Sequence, residues 1–567
     1  MHNTTTHRAP NTRRGSPPQP CAALRPRFAR HRHTTYTTIA YLPGGTVTYD
    51  AMNRLTQITN PVGGMFKLQY NGQGLPIQVS DEDGRSRQIE FDNFLRITKQ
   101  LDGLGNVTEY SYNIPDGSGN GTLGALHSPV EIKYPTFTER QRYDQRERPT
   151  SQTLLNPNAL GTDNLVSGTE YDKRGRIRSQ TDANGKASGN TYNAFEQRIE
   201  TTDRLGHKTS YQYDARGNLL QLTDANGHAT RFEYDKANRL VKEILPLGQT
   251  TVYRYDEAGN LTQRTDPNGN QHAHTYDAVN RQTESKQTNA QGTLTRTLAY
   301  TWDANGNLTA WSDTDHSRNQ TSSATLTFDA DNRKTGETVT CPNGTTLGYG
   351  AAYSPAGKQT QLTWPDGTQI GYGYSAHGEL ESVTIPGEGT ISVNPFKWTV
   401  PAKITLPGGS VQEKSYDGLL NLESLKAKTP GQQTVLSLQN SYGKLLELKQ
   451  SKRTDSMDGG SSSKDSNYSY DAELRLTQAQ TDTGGLFGRA SETYTLVHLA
   501  NRKRHSPVSG SCQYDAKNRL IQRGEGGDAT TYAWDEAGNQ IKKTEPGNKT
   551  TRYGYDSNNR LTEVKDG

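Results

Sequence analysis

A chain of 567 residues with 30% hydrophobic residues, 56 glycines and 30 tyrosines has too little apolar side chain to fill three or four conventional cores, while its aromatic content and formal charge of +4 exclude general disorder. The charge sits in one tail: residues 1–34 carry seven arginines (Arg8, Arg13, Arg14, Arg25, Arg27, Arg30, Arg32) and no lysine or acid, leaving −3 for the remainder and no basic field to attract specific nucleic acid. Cys21, Cys341 and Cys512 are too few and too far apart for a disulfide framework or a zinc site, and no apolar run reaches the roughly 18 residues of a membrane span or forms the apolar segment of a signal peptide.

Residues 1–34, rich in Arg, His, Thr and Pro, show no periodicity and read as a disordered, solvated leader. Binding of its arginines to nucleic acid or an acidic surface is the alternative, but no aromatic stacking platform accompanies them. Arg13-Arg14 is followed by prolines rather than by an apolar stretch, which argues against a twin-arginine signal.

From about residue 35 a repeat takes over. Tyr49, Tyr70, Phe91 and Tyr112 are spaced by 21, as are Tyr171, Tyr192, Tyr213, Tyr234, Tyr255 and Tyr276. Gly117 to Pro129 lengthens one unit, so an insertion is expected near 114–135. The step widens at Trp302 and Phe328, degenerates around Trp364, Tyr372 and Tyr374, and closes again at Tyr514, Trp534 and Tyr555. A Gly/Ser-rich stretch, Met457 to Asp465, predicts a loop within a second insertion near 452–467.

Each unit reads like Tyr213-Asp214-Ala215-Arg216-Gly217-Asn218-Leu219. The residue four after the aromatic anchor is Gly217, Gly259, Gly306 or Gly538, or else Asn53, Asn238, Asn280, Asn332, Asn518 or Asn559, the two residue types that best tolerate a left-handed backbone. With Asp at the turn start this matches a type I turn followed by a left-handed bulge residue. About ten residues on comes a second turn, such as Asp224-Ala225-Asn226-Gly227 or Asp266-Pro267-Asn268-Gly269. Pro267 favours a type I turn there, and the Asn-Gly pair alone would suit a primed two-residue turn; either gives a hairpin. Leu219, Leu240, Leu261, Leu308, Leu520 and Leu561, six after their anchors, are placed to pack across the hairpin against the aromatics. Strands with one modestly apolar face and one polar face predict an all-β, single-layered antiparallel sheet of repeated hairpins.

These units closely resemble the YD repeats of the RHS family, found in bacterial RHS and polymorphic-toxin shells, in the C component of Tc toxins and in teneurins. The resemblance covers about residues 36–567 and rests on the Tyr-Asp-x-x-Gly-Asn-Leu and Tyr-Asp-x-x-Asn-Arg-Leu forms recurring in register. It implies a long sheet spiralling into an open hollow shell over residues 35–567 that encloses a toxic cargo. It also implies carbohydrate binding. The family's Asp-Pro-x-Gly-Leu cleavage motif is absent; the nearest string, Asp266-Pro267-Asn268-Gly269-Asn270, lies mid-array. The array is therefore expected to stop before any core or toxin domain.

Candidate chemistry is sparse. The aspartates sit at repeated turn positions, which argues against a catalytic carboxylate pair. Asp266, Asn268, Asn270 and Asp277 echo a calcium loop, but Gln271 stands where glycine is needed and Asp224 and Asp235 repeat the spacing. Gly119-Asn120-Gly121-Thr122-Leu123-Gly124 fits a dinucleotide fingerprint outside any βαβ context. His272 and His274 alternate on one strand without a third metal ligand. Asn260 and Asn307 head glycosylation-type triplets that the repeat itself generates.

No catalytic, metal or cofactor site is expected, and the chain is read as a non-enzymatic shell or scaffold of an RHS or polymorphic-toxin system. It is expected to leave the cell or reach its surface by a specialised route, with a separately encoded core or toxin chain as partner. A carbohydrate-binding adhesin, with Tyr372, Tyr374 and Trp364 stacking on sugars, is the alternative, and a split or decayed fragment of a larger toxin is a second one. The C-terminal hairpin, Thr550 to Val564, is expected to be an open, weakly held edge.

Overall fold

The structure is a computed structural model in which residues 45–115, 122–155, 164–457, 460–481, 491–496, 502–506 and 508–567 are described. The expected leader at 1–34 and the first half of Gly119–Gly124 lie outside the described residues.

The turn chemistry organises the chain. At the anchor turn Asp214 N–H donates to the Asn218 carbonyl at 2.9 Å and Gly217 N–H to the Asp214 carbonyl at 3.1 Å, with Gly217 at φ 90°. At the second turn Asp266 N–H donates to the Asn270 carbonyl and Gly269 N–H to the Asp266 carbonyl, both at 2.9 Å, with Gly269 at φ 85°. The two turns are the same device, a type I turn closed by one left-handed residue, and Asn268 is not left-handed, which excludes the primed alternative. Where that residue is Asn, φ is still positive: 61° at Asn238 and 64° at Asn280.

With a turn every ten or eleven residues, the strands between them are about five or six residues long, and each pairs with its neighbours in the chain. Forty-six strands form one antiparallel sheet, and no α-helix occurs among the described residues. Two small hairpins leave the meander. One pairs Asn113–Pro115 with Thr122–Gly124, the other Phe396–Lys397 with Val400–Pro401, so that Val107–Ser111 pairs directly with Glu131–Lys133 and Gly389–Val393 with Lys403–Thr405. The register sets Tyr213 opposite Leu219, Tyr234 opposite Leu240 and Tyr255 opposite Leu261, as the spacing of six predicts.

The Gly/Ser stretch is a correction. Gly460–Asp465 belongs to the strand Gly460–Tyr470, which pairs from Gly460 to Asn467 with the strand Leu448–Met457. Serine and threonine hydroxyls face one another across this ladder, as at Thr454 and Ser463, and a backbone ladder tolerates such a composition when the flanking strands are already in register.

Only Val130, Phe137, Ala324, Val411, Leu419 and Ala479 are buried apolar residues among those described, so there is no core in the usual sense. The sheet is one layer thick and winds back alongside itself. Asp83 and Ser354, 271 residues apart, are hydrogen-bonded, and Asn268 and Asp535, 267 apart, likewise. Between the first two turns the sheet counts 23 strands, from Ser86–Phe91 to Thr346–Tyr353. At about 4.8 Å per strand that is a circumference of roughly 110 Å and a wall-to-wall diameter of about 35 Å. The sheet is thus an open spiral. The seam bonds join second turns from Asn60 to Thr295, in the first coil, to anchor turns from Ser354 to Ser557, in the second.

Candidate functional site: the inter-coil seam

Within a coil, consecutive repeats are tied by their turns. Asp235 Oδ1 accepts the backbone N–H of Ala237 and Arg239, both at 2.9 Å, and Oδ2 accepts Arg239 Nε at 2.7 Å. The Arg239 guanidinium then lies 4.9 Å from the centroid of the next anchor ring, Tyr255, and its Nη1 donates to the Asp256 carbonyl at 2.7 Å. Tyr255 reaches back, its hydroxyl donating to the Leu240 carbonyl at 2.9 Å; Trp534 Nε1 does the same to Leu520 at 2.8 Å. The backbone N–H and side chain of Arg239 hold Asp235 below the usual carboxylate range, and the Arg148 side chain lowers Asp144 to about 2.

Turns with Asn in place of this Arg use a different tie. Asn218 donates its amide to Asp214 Oδ2 and to Asn238 Oδ1 of the following turn, both at 2.9 Å. Asn260 repeats this toward Asn280 and Asn539 toward Asn559, at 2.8 and 2.7 Å. The sequence therefore alternates by rule: a Gly-Asn turn is followed by an Asn-Arg turn, whose left-handed Asn is the acceptor.

Between coils the two turn types meet. Each strand carries the chain from one edge of the ribbon to the other, so all anchor turns line one edge and all second turns the opposite one. The second turns of the first coil clasp the anchor turns of the second. Asp83 accepts Ser354 Oγ at 2.9 Å and Ala356 N–H at 3.0 Å; Asn60 donates to the Pro355 carbonyl at 3.0 Å. Arg204 N–H donates to Glu473 at 2.7 Å, and Asn226 Nδ2 to Asn518 at 2.9 Å. Asn268 gives its amide to Asp535 at 3.0 Å and takes Ala537 N–H at 3.1 Å. At the far end the Thr295 and Ser557 hydroxyls are 2.7 Å apart, and Asn558 donates to Gln287. The coils come close enough that a Cβ on Gly103 would lie 2.5 Å from the Ala376 carbonyl oxygen. A cavity of about 420 Å³ interrupts the seam between Asn268, Asn289 and Tyr553–Ser557.

The repeat behind this seam has a recorded counterpart. The RHS Repeat family profile matches residues 171–208, 192–229, 213–250, 234–271, 514–548 and 534–567, successive windows stepping by one aromatic anchor. Residues 171–271 and 514–567 are RHS repeats. No curated protein matches it. Among solved structures it is similar to the Tc holotoxin pore of Photorhabdus luminescens, with a TM-score of 0.60 and 15% identity over 90% of this chain and 30% of that one. The crystal structure of TcdB2-TccC3 also matches, with a TM-score of 0.32 and 12% identity over 92% of this chain and 38% of the other. The RHS-repeat chain thus spans a third or so of the matched chains, and at these identities the likeness is one of fold.

Most residues singled out by sequence are absorbed by the repeat. Asp266 and Asp277 stand at opposite edges of the ribbon, separated by the strand Gln271–Tyr276, so they do not form a calcium loop; Asp266 is bonded to Asn270 and Asp277 to Arg281. No cluster of three metal-ligating residues occurs among the described residues. Tyr374 is committed to the Gln359 carbonyl at 2.8 Å, whereas Trp364 is exposed on a second turn beside Tyr349. His272 faces the backbone of Ser557 across the seam, and His274 Nδ1 is buried without a partner. Burial pushes both imidazoles below their ordinary value, with Arg264 adding to the effect at His272 and His272 at His274. The C-terminal hairpin divides: its turn is docked through Ser557, while its last strand, Leu561–Asp566, is exposed along its whole length.

The RHS repeat also holds a contact that its sequence conceals. Trp398, at the tip of the side hairpin 396–401, has its ring 5.8 Å from Tyr134 and 6.5 Å from Phe137, both in the second turn between Glu131–Lys133 and Thr138–Tyr143 of the first coil. Phe137 and Val130 are two of the few buried apolar residues, and Trp398 is held at φ 56°.

Proposed function

We propose that this RHS-repeat protein is a non-enzymatic wall segment of a toxin-associated shell, one that encloses or presents a cargo supplied by another chain or segment. The observation that carries this reading is the seam: a one-layer sheet bonded to itself after one revolution surrounds space rather than a core. With a diameter of about 35 Å and side chains filling roughly 5 Å of each wall, the lumen is about 25 Å wide, enough for an extended or partly unfolded chain. The carboxylates a hydrolase would need are engaged as turn acceptors, which supports a structural role. The likeness to a Tc holotoxin component supports the toxin context and export from the cell; no helix among the described residues is long and apolar enough to cross a membrane.

Small-angle scattering, combined with protease challenge of a reporter fused after residue 567, tests the proposal. A hollow-cylinder distance distribution and a reporter fragment protected from protease are expected. A solid-globule profile, or a reporter cleaved as fast as the free reporter in a folded shell, overturns it.

A further inference from the structure

The seam uses one edge of each coil and leaves the other free. In the second coil the tips of the anchor turns are covered: Leu419, three after its anchor, is 2% exposed. In the first coil the same tip position faces solvent, and it is apolar at Met52 (71% exposed), Phe94 (74%), Phe195 (84%) and Val279 (66%). The second-turn edge of the second coil is free as well, and its chemistry has shifted. Where the first coil's second turns mostly start with Asp or Asn, several here start with an apolar residue ahead of proline at the second position, as in Trp364-Pro365-Asp366-Gly367 and Leu406-Pro407-Gly408-Gly409, with Trp364 and Leu406 exposed. Pro at that position stiffens the turn without using a backbone donor, because the N–H it lacks would point to solvent.

Each molecule therefore presents, at opposite ends, one row of anchor-turn tips and one row of second turns, the two surfaces that already bind each other inside it. We infer that a second copy of this chain stacks head to tail on the first, seating the exposed anchor-turn tips of its first coil on the proline-containing second turns of its neighbour's second coil. The occupant follows from continuity with the internal seam: the same turn positions meet, after the same single revolution, with apolar tips facing apolar turns on both sides. Such an interface is heterologous, so it adds copies in one direction and does not close as a two-fold dimer would. Burying four such tips, each mostly in water now, supplies apolar area beyond the hydrogen bonds that hold the internal seam. The inference rests on the coil-on-coil seam and is independent of whether the lumen holds a cargo.

Sedimentation velocity of the full chain over a hundredfold concentration range tests this. Concentration-dependent growth beyond two copies is expected for the natural chain. Phe94→Asp combined with Phe195→Asp abolishes one edge, Trp364→Asp combined with Leu406→Asp the other, and each double variant alone stays monomeric with an unchanged β-sheet circular dichroism spectrum. Mixed together, they form a pair and nothing larger, since one good edge remains on each. A natural chain that stays monomeric throughout, variants that still grow, or a mixture that fails to pair overturns the inference. Scattering from the monomeric variants reads the hollow coil separately, so loss of stacking and loss of the shell are distinguishable.

Discussion

Asn218 donates its side-chain amide to the side-chain oxygen of Asn238, 2.9 Å away in the next turn of the same edge. Asn238 is left-handed, at φ 61°, so one residue both closes its own turn and receives its neighbour's. The two roles separate by substitution. Glycine keeps the backbone and loses the acceptor, whereas alanine loses both. Asn238→Gly is expected to be nearly neutral, because glycine's preference for the left-handed region offsets a hydrogen bond of about 1 kcal/mol. Asn238→Ala is expected to destabilise by about 2 kcal/mol or more, adding left-handed strain of roughly 1–2 kcal/mol. Long repeat arrays do not unfold in one step, so the measurement is local hydrogen exchange over residues 208–265 rather than a global midpoint.

Arg239 serves three partners: Asp235, the Tyr255 ring and the Asp256 carbonyl. Lysine can keep a charge near Asp235 but lacks the planar fork to stack and donate at once. Arg239→Lys is therefore expected to recover less than half of the loss seen in Arg239→Ala, itself about 1–2 kcal/mol of local stability. Exchange rates in the strands 240–244 and 250–255 report it. Equal protection in the Lys variant and the natural chain would show that charge alone holds successive repeats together.

The anchors, both turns and the Tyr–Leu pairing were legible because each is fixed within one 21-residue unit. The Gly-Asn and Asn-Arg alternation was equally visible in the sequence, yet it has meaning only when side chains of neighbouring turns are known to touch. The seam was not legible. Its partners lie 262 to 295 residues apart, and they are the same Asp, Asn and Ser types that every turn uses. Two signals point to it in hindsight: Ser354 and Ser375 replace the usual turn Asp just where the second coil begins, and Gly103 stands at a turn position filled by Ala in Asp224-Ala225-Asn226-Gly227.

That glycine gives a direct probe of the seam. Its Cβ would meet the Ala376 backbone oxygen at 2.5 Å, and a carbonyl cannot rotate away as a side chain can. Gly103→Ala is expected to part the coils locally, raising exchange at residues 374–380 severalfold while leaving residues 211–261 unchanged. Unaltered protection at 374–380 would mean the coils do not approach this closely.

Trp398 ties the side hairpin 396–401 to the turn holding Tyr134 and Phe137 at the cost of a left-handed backbone. Both Trp398→Ala and Trp398→Gly lose the stack on Tyr134 and Phe137, worth about 1–3 kcal/mol for a half-buried ring. Only glycine relieves the backbone. The Gly variant is expected to be the more stable of the two by roughly 1 kcal/mol, read from local exchange at residues 131–143. The reverse order would place the strain elsewhere.

The seam's far end is expected to respond to acid. His272 faces Ser557 across the seam, and the groups around it are Arg264 and Gln287 on the paired strands, Asp266 at the turn, and His274 two residues on. Burial, then Arg264, lowers its affinity for a proton, so the folded seam prefers the neutral ring. An imidazole whose folded value lies below its unfolded one contributes fully above the unfolded value, near 6.5, and loses that contribution as pH falls through the folded value. His274, lowered by burial and by His272, acts in the same direction. Exchange at residues 555–560 is therefore expected to quicken as pH falls below about 6.5, before Asp556, held low despite burial by its hydrogen bonds from Arg560, begins to protonate. His272→Gln combined with His274→Gln should flatten that response, because glutamine keeps a donor for Ser557 without the titration. A response that persists in the double variant would place the acid sensitivity in other groups.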